Sequence, residues 1–407
     1  MRQPPEGYTT EEWWLATKLR RSQVRQYVPF ADKAGHSFSY SDSGDLYRRL
    51  REIDSNASAQ IAFGTADGVH EPSGERYLMS SLIDEAITSS QLEGAATTRV
   101  VAKEMLRTGR SPRDNSERMI VNNYHAMEFL RGNHGEKLTR GMLLELQTIL
   151  TQGTMSDDSV GRFRRPTDNV DVAQWDGTVV HVPPKAVELD ARIDRLLAFA
   201  NEEDDGRTIH PFVRAVILHF MIGYDHPFVD GNGRTARGLF YWSMAKSGYW
   251  LTEYLSISTV IRESPARYVQ AYVYSETDDG DLTYFIEYNL GIMLKAIRAL
   301  HEYLDKKAKE MEGLSRVIRG SELAMVFNYR QLALLSHLVK HPNAVYTIAG
   351  HRRSHNVTYQ TARSDLLTLA EFGFLEVAKV GRKLQYRRSE ELEDDLRDLA
   401  GFIKAET

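Results

Sequence analysis

The sequence predicts a mainly α-helical protein with one isolated β-hairpin and a C-terminal module of winged helix-turn-helix type. Three observations carry this expectation. From about Ser81 onward, apolar residues recur at helical spacing. Asn169 to Val182 (NVDVAQWDGTVVHV) instead alternates in the β manner around Asp176-Gly177, a strong short-range hairpin signal. In the last part of the chain, three helical segments are followed by strand, turn and strand within about 70 residues, the order of a winged helix.

Taken in order, Leu82, Ile83, Ala86 and Ile87 mark a helix that Gly94 would end or bend. Asn115–Leu130, Thr139–Leu150, Pro184–Ala200 and His210–Tyr224 continue the rhythm. A further helix should start at Asn232 and stop at Gly248. Asp281–Met311 reads as one long helix with a break near Gly291. In the C-terminal module, helices are expected at Arg330–Lys340 and Thr358–Phe372, a short helix or turn at Thr347–Gly350, and strands at Leu375–Val380 and Leu384–Arg387 about Gly381. Ala362, Leu366, Leu369 and Ala370 would face inward. The expected division is 1–112, with a helix over 81–98, then 113–312, then 313–407. Residues 1–80 carry Trp13 and Trp14 but no pattern that assigns them a role.

Composition bounds the chemistry. The 407 residues are 42% hydrophobic and 26% charged with a net charge of -5, the profile of a soluble globular protein without a global bias toward nucleic acid. No apolar run approaches the roughly 20 residues needed to span a bilayer. The first residues lack a secretory pattern, so a cytoplasmic location is expected. Cysteine is absent, which removes disulfides, thiolate metal sites and cysteine nucleophiles together.

The most informative segment is His226–Arg237, HPFVDGNGRTAR. Gly231, Asn232 and Gly233 lie where a helix begins. Backbone N–H groups are unpaired there, the helix dipole is positive, and glycines let phosphate oxygens approach. Arg234 and Arg237 fall in the first turns and can lean toward the same anion. Asp230, at the loop's edge, suits a Mg²⁺ that bridges phosphate oxygens. His226 stands where a base could take a proton from an incoming hydroxyl.

This segment resembles the signature of the Fic family, HPFx[D/E]GNGRxxR, with every defined position filled. The wider resemblance spans about Ser81 to Leu304. It implies a helical Fic fold with a β-hairpin flap and transfer of AMP from MgATP to a Tyr, Thr or Ser hydroxyl of a target protein. Carried over by position, His226 would be the catalytic base and Asp230 the metal ligand. Gly231, Asn232, Gly233, Arg234 and Thr235 would surround the phosphates, with Arg237 on the γ-phosphate and Glu263 beside the adenosine end. Doc-type kinases of the superfamily carry lysine at the position of Gly233, so that residue favours nucleotidyl transfer over phosphorylation.

Upstream, Ser89, Glu93 and Gly94 fit the inhibitory motif [S/T]xxxE[G/N] of the same family. The expected physics is competitive: Glu93 pairs bidentately with Arg237 and occupies the guanidinium that the γ-phosphate needs. Thr178, Val179 and Val180 of the hairpin are expected to dock an extended target through their backbone.

The C-terminal module has two readings. From Asn343 to Arg388 it holds eight Lys/Arg against three Asp/Glu. Thr358, Gln360, Thr361, Arg363 and Ser364 could meet a DNA major groove, with Arg382 and Lys383 on phosphates; alternatively the module docks protein. A homodimer is compatible with the architecture. Two other functions stand beside adenylyl transfer: a DNA-binding regulator whose core senses nucleotide, and removal of AMP in the same pocket with Glu93 positioning water.

Overall fold

The computed structural model of the chain describes residues 4–57, 72–173, 177–203, 208–319, 323–340, 344–380 and 383–392. These form two compact units, Met1–Leu300 and His301–Thr407.

The first unit opens with elements the sequence reading missed: α1 (Thr10–Ser22), β1 (Arg25–Ala31), β2 (Ser37–Ser41) and α2 (Gly44–Ala57). Helix α1 starts in a capping box. Glu12 N donates to Thr9 Oγ1 at 3.2 Å, and Thr9 N donates to Glu12 Oε2 at 2.9 Å. β1 and β2 form an antiparallel pair. β2 is also tied to a distant loop, because Ser39 N donates to Gly280 O and Leu282 N to Ser39 O. Phe38 buries its ring edge-on against Phe220 and Tyr224. The segment is thus part of the core of this unit.

The helical body follows: α3 (Pro72–Leu92), α4 (Arg99–Thr108), α5 (Asn115–Gly132) and α6 (Arg140–Thr151). Thr98, Asp114 and Thr139 cap the last three through their side chains, as their position before each apolar run predicts. The isolated hairpin is β3 (Val172–Ala173) paired with β4 (Val179–His181). Its turn residues Gln174 to Asp176 lie outside the described residues. Then come α7 (Leu189–Ala200), α8 (Pro211–Asp225) and α9 (Asn232–Lys246), followed by α10 (Ile257–Arg262) and α11 (Pro265–Thr277).

Helices α8 and α9 form the centre. In α8 nearly every residue from Phe212 to Asp225 is buried, and in α9 the buried run includes both arginines of the glycine-rich segment. Gly248, with φ of 84°, ends α9 as expected. The long helix α12 (Thr283–Arg319) passes Gly291 without a break and continues through Gly313, where the sequence placed a domain boundary. Glycine costs a helix interior only about 1 kcal/mol, which the apolar face of α12, with Phe285, Ile286, Leu290, Met293 and Ile297 buried, readily outweighs.

The second unit holds α13 (Leu323–Val326), α14 (Tyr329–Lys340), β5 (Val345–Tyr346), α15 (Ile348–His355), α16 (Tyr359–Glu371), β6 (Leu375–Val380) and β7 (Lys383–Arg388). The short helix or turn expected at Thr347–Gly350 is the helix α15, which runs on to His355 and is capped by Thr347 Oγ1 on Gly350 N. The strands make an antiparallel sheet in the order β5-β7-β6. Leu338, Ala362, Leu366, Leu369, Phe374 and Tyr386 fill its core, which agrees with the inner face expected of α16. Gly381 and Arg382 fall outside the described residues. No helix among the described residues is long and apolar enough to cross a membrane.

Candidate active site

His226 follows the last residue of α8 with a left-handed backbone, φ of 45°. Its own N–H closes the helix on Ile222 O at 3.0 Å. Nδ1 lies 3.2 Å from the Gly223 carbonyl, an acceptor. The proton of the neutral ring therefore sits on Nδ1, and Nε2 keeps its lone pair. Burial pushes the pKa of His226 down to about 4, against the opposing pull of the Gly223 carbonyl. The ring is a neutral base around pH 7.

A buried arginine that the sequence reading passed over holds this corner. Arg164 donates through Nε to His226 O at 2.8 Å and through Nη2 to Asp225 O at 3.1 Å, and it also reaches Pro184 O. Beside it, Asp225 pairs with Arg192 at 3.0 Å, and burial raises its pKa to about 6 in spite of that partner. Arg192 in turn donates to the carbonyls of Ala31 and Asp32 on the N-terminal hairpin. Arg164 lies in the run Arg162-Phe163-Arg164-Arg165.

The loop after His226 turns back through Gly231, with φ of 87°, into α9. Only glycine adopts this conformation freely, and a Cβ there would lie 3.0 Å from Thr151 Cγ2. Asn232 clips the loop: its Oδ1 accepts from Phe228 N and its Nδ2 donates to Phe228 O, both at 2.9 Å. Arg234 is fully buried and donates to Leu150 O and to Asp230 Oδ2, both at 3.0 Å, while its Nε has no partner. Both side chains thus also shape the loop. Thr235 Oγ1 is likewise buried without a partner.

Asp230 is 45% exposed, and its Oδ1 also accepts from Gly231 N at 2.6 Å. Among the described residues no group of three or more His, Asp or Glu is arranged to hold a metal. One half-exposed carboxylate suits Mg²⁺ all the same, because that ion keeps most of its shell as water and substrate phosphate.

Glu93 and Arg237 meet at the mouth of α9. Arg237 is buried, and its Nη2 donates to Glu93 Oε1 at 2.8 Å. The pairing is not bidentate as expected. Arg237 Nε donates to Ser89 Oγ at 2.8 Å, and Nη2 also reaches Ser89 O at 3.0 Å, so the hydroxyl of the motif takes the second hold. Burial works against the charge of Arg237, but Glu93, Tyr268 and Glu85 together outweigh it and keep the guanidinium ionised.

The end of α3 explains why Gly94 follows Glu93. Ala95 N donates to Ser90 O and Gly94 N to Gln91 O, a Schellman closure that needs the left-handed backbone of Gly94, φ of 94°. The closure projects Glu93 toward Gly233. A Cβ on Gly233 would stand 2.1 Å from Glu93 Oε1. The carboxylate thus lies against the first turn of α9, where a helix N-terminus attracts anions.

Glu263 forms an ion pair with Lys295 and, with Thr88, Gln91, Thr259 and Arg262, lines a cavity of about 330 Å³ beside α3. In the hairpin, Val179 is 51% exposed and Val180 half-buried.

With this geometry, residues 137–244 match the sequence model of the Fic/DOC family. The chain carries a Fic domain. It is 28% identical over 205 residues to proteins named protein adenylyltransferase Fic from Drosophila yakuba and Drosophila melanogaster. That stretch is 50% of this chain and 39% of either relative, so the chain spans well under half their length. The fold is similar to a Fic family protein from Desulfovibrio desulfuricans, with a TM-score of 0.54 and 20% identity over 86% of this chain and 98% of that one. It is also similar to Fic-1 from C. elegans, with a TM-score of 0.51 and 19% identity over 65% of this chain and 74% of that one.

The buried imidazoles of the Fic domain contribute to its pH dependence, and buried Asp225, with its raised pKa, acts in the opposite direction. Burial lowers His219 to about 3 and His226 to about 4, from an ordinary 6.5. The unfolded chain takes up these protons as pH falls through 6.5, whereas the native state does so only near 4 and 3. Their stabilising effect is thus complete above pH 6.5 and is lost on acidification toward pH 4. Denaturant unfolding between pH 7 and pH 4.5 should show His226→Ala losing on the order of 2 kcal/mol less than the unmutated chain. Parallel curves for the two proteins would contradict this.

Proposed function

We propose that the chain is a protein adenylyltransferase restrained by Glu93. The observation that carries this reading is the convergence at one helix mouth of a neutral histidine, a glycine-rich anion site and a buried arginine occupied by a carboxylate. ATP would bind with its phosphates at the start of α9 and the γ-phosphate on Arg237. Mg²⁺ on Asp230 would neutralise phosphate charge. His226 Nε2 takes the proton of a target hydroxyl, whose oxygen bonds to the α-phosphorus as the bridge to the β-phosphate breaks and pyrophosphate leaves. The β3–β4 hairpin acts as a flap: the backbone of Thr178, Val179 and Val180 pairs with an extended segment of the target. Glu93 blocks the sequence by holding the place and the partner of a phosphate oxygen.

Mass spectrometry of a lysate incubated with the Glu93→Gly chain and ATP tests the reading. A protein heavier by one AMP supports it. Phosphate instead of AMP, or no modification, overturns it.

A second use is proposed for the C-terminal unit, which we read as a DNA contact. Arg352, Arg353, Gln360 and Arg363 are all exposed on α15 and α16, while the acidic Asp365 is turned inward to Arg330, Asn328 and His351. Titration of duplex DNA with the full chain at rising salt should show affinity falling steeply, and Arg352→Glu with Arg353→Glu should lower the slope of log K against log salt by about 2. A slope unchanged by these substitutions would count against DNA.

A further inference from the structure

Helix α8 ends with its final carbonyls taken in turn. A helix leaves its last four carbonyls without partners inside the helix. Here Ile222 O accepts from His226 N at 3.0 Å, Gly223 O faces His226 Nδ1 at 3.2 Å, and Asp225 O accepts from Arg164 at 3.1 Å. The remaining one, Tyr224 O, lies 2.7 Å from Nε2 of His181. His181 is the last residue of β4, the strand of the proposed flap. Its Nδ1 lies 2.7 Å from Glu276 Oε2 on α11, its ring centre is 4.9 Å from that of Tyr224, and its side chain is 7% exposed.

We infer that His181 is a positioning residue which couples the flap strand to the carbonyl two residues before the catalytic base. The inference rests on the function proposed above. If a target adds to β4, its hydroxyl is placed relative to the strand, while Nε2 of His226 is placed by the end of α8. Their separation depends on what joins strand to helix, and the shortest connection is one imidazole. A second tie runs beside it from the N-terminal hairpin: Lys33 Nζ donates to Val182 O at 3.3 Å, and Lys33 N donates to the Tyr224 hydroxyl at 3.0 Å. The geometry gives each nitrogen of His181 its own duty, Nδ1 anchoring the ring on α11 and Nε2 holding the end of α8.

Two substitutions separate these duties. The amide of His181→Gln can reach Tyr224 O from the place of Nε2 but gives up Glu276. That of His181→Asn can reach Glu276 from the place of Nδ1 but gives up Tyr224. Both are made in the Glu93→Gly chain and assayed with α-labelled ATP against lysate. The Asn variant should label protein about tenfold more slowly with an unchanged KM for ATP, and the Gln variant should stay within about threefold of its parent, since misplacement of an ångström alone costs about a hundredfold. Amide hydrogen exchange at Asp225 and His226 should quicken in the Asn variant and not in the Gln variant. Equal rates and equal exchange in the two variants overturn the inference, as does a KM for ATP that rises in step with the lost rate. If the Glu93→Gly parent transfers no AMP, the proposed function fails instead, and the exchange comparison alone decides the role of His181.

Discussion

Glu93→Gly should raise incorporation of label from α-labelled ATP by about ten- to a hundredfold, the range given by the 1.5–3 kcal/mol of a charge-assisted hydrogen bond. Two effects act together. The substitution frees Arg237, which now donates to Glu93 Oε1 at 2.8 Å. It also clears the space over Gly233, where that oxygen stands 2.1 Å from where a Cβ would be. The carboxylate is 28% exposed and ends a flexible side chain, so its removal leaves the Schellman closure at Gly94 in place. Ser89 continues to hold Arg237 through its hydroxyl and carbonyl, so the guanidinium stays ordered and ready for phosphate. A rate equal to that of the unmutated chain would remove the brake from the account. Calorimetry with ATP separates the alternatives, since a freed site should bind nucleotide more tightly even before any transfer is measured.

His226→Ala, made in the Glu93→Gly chain, should lower transfer by about a hundred- to ten-thousandfold, the range typical of general-base catalysis, with ATP affinity unchanged. The imidazole is held through Nδ1 on Gly223 O, whereas the proposed phosphate site is the start of α9. Loss of the ring therefore removes proton transfer and leaves the anion site intact. If ATP affinity fell with the rate, His226 would belong to the binding site and the base would have to be sought elsewhere.

The chemistry of the centre was legible because it sits in one continuous stretch. A glycine-rich start of a helix, flanked by histidine and arginine, states its electrostatics in the local sequence, and residues 226–237 form that structure. The caps Thr98, Asp114 and Thr139 are equally local, since a cap acts within three residues of itself. Where the reading fell short, the partners are distant in sequence. Arg164 meets the carbonyl of His226 across 62 positions. Arg192 reaches Ala31 across 161 positions. Neither basic residue differs in local pattern from a solvated one.

The N-terminal strands went unseen because alternation over five to seven residues is a weak signal. Ser39 pairs beside Asp281, and that pairing depends on loops remote in sequence.

Local order along the chain decided the helices, the turn into α9 and which groups cluster at that turn, because these follow from backbone geometry and neighbours a few residues apart. Packing across the chain decided which of those groups are engaged. It shared Arg237 between Ser89 and Glu93 where the sequence reading expected a bidentate pair with Glu93, gave Asn232 and Arg234 hydrogen bonds within their own loop, and joined the hairpin to the end of α8 through His181. The physical reason is that a hydrogen bond in a buried site is set by the position of both partners, and only the folded chain fixes the second one.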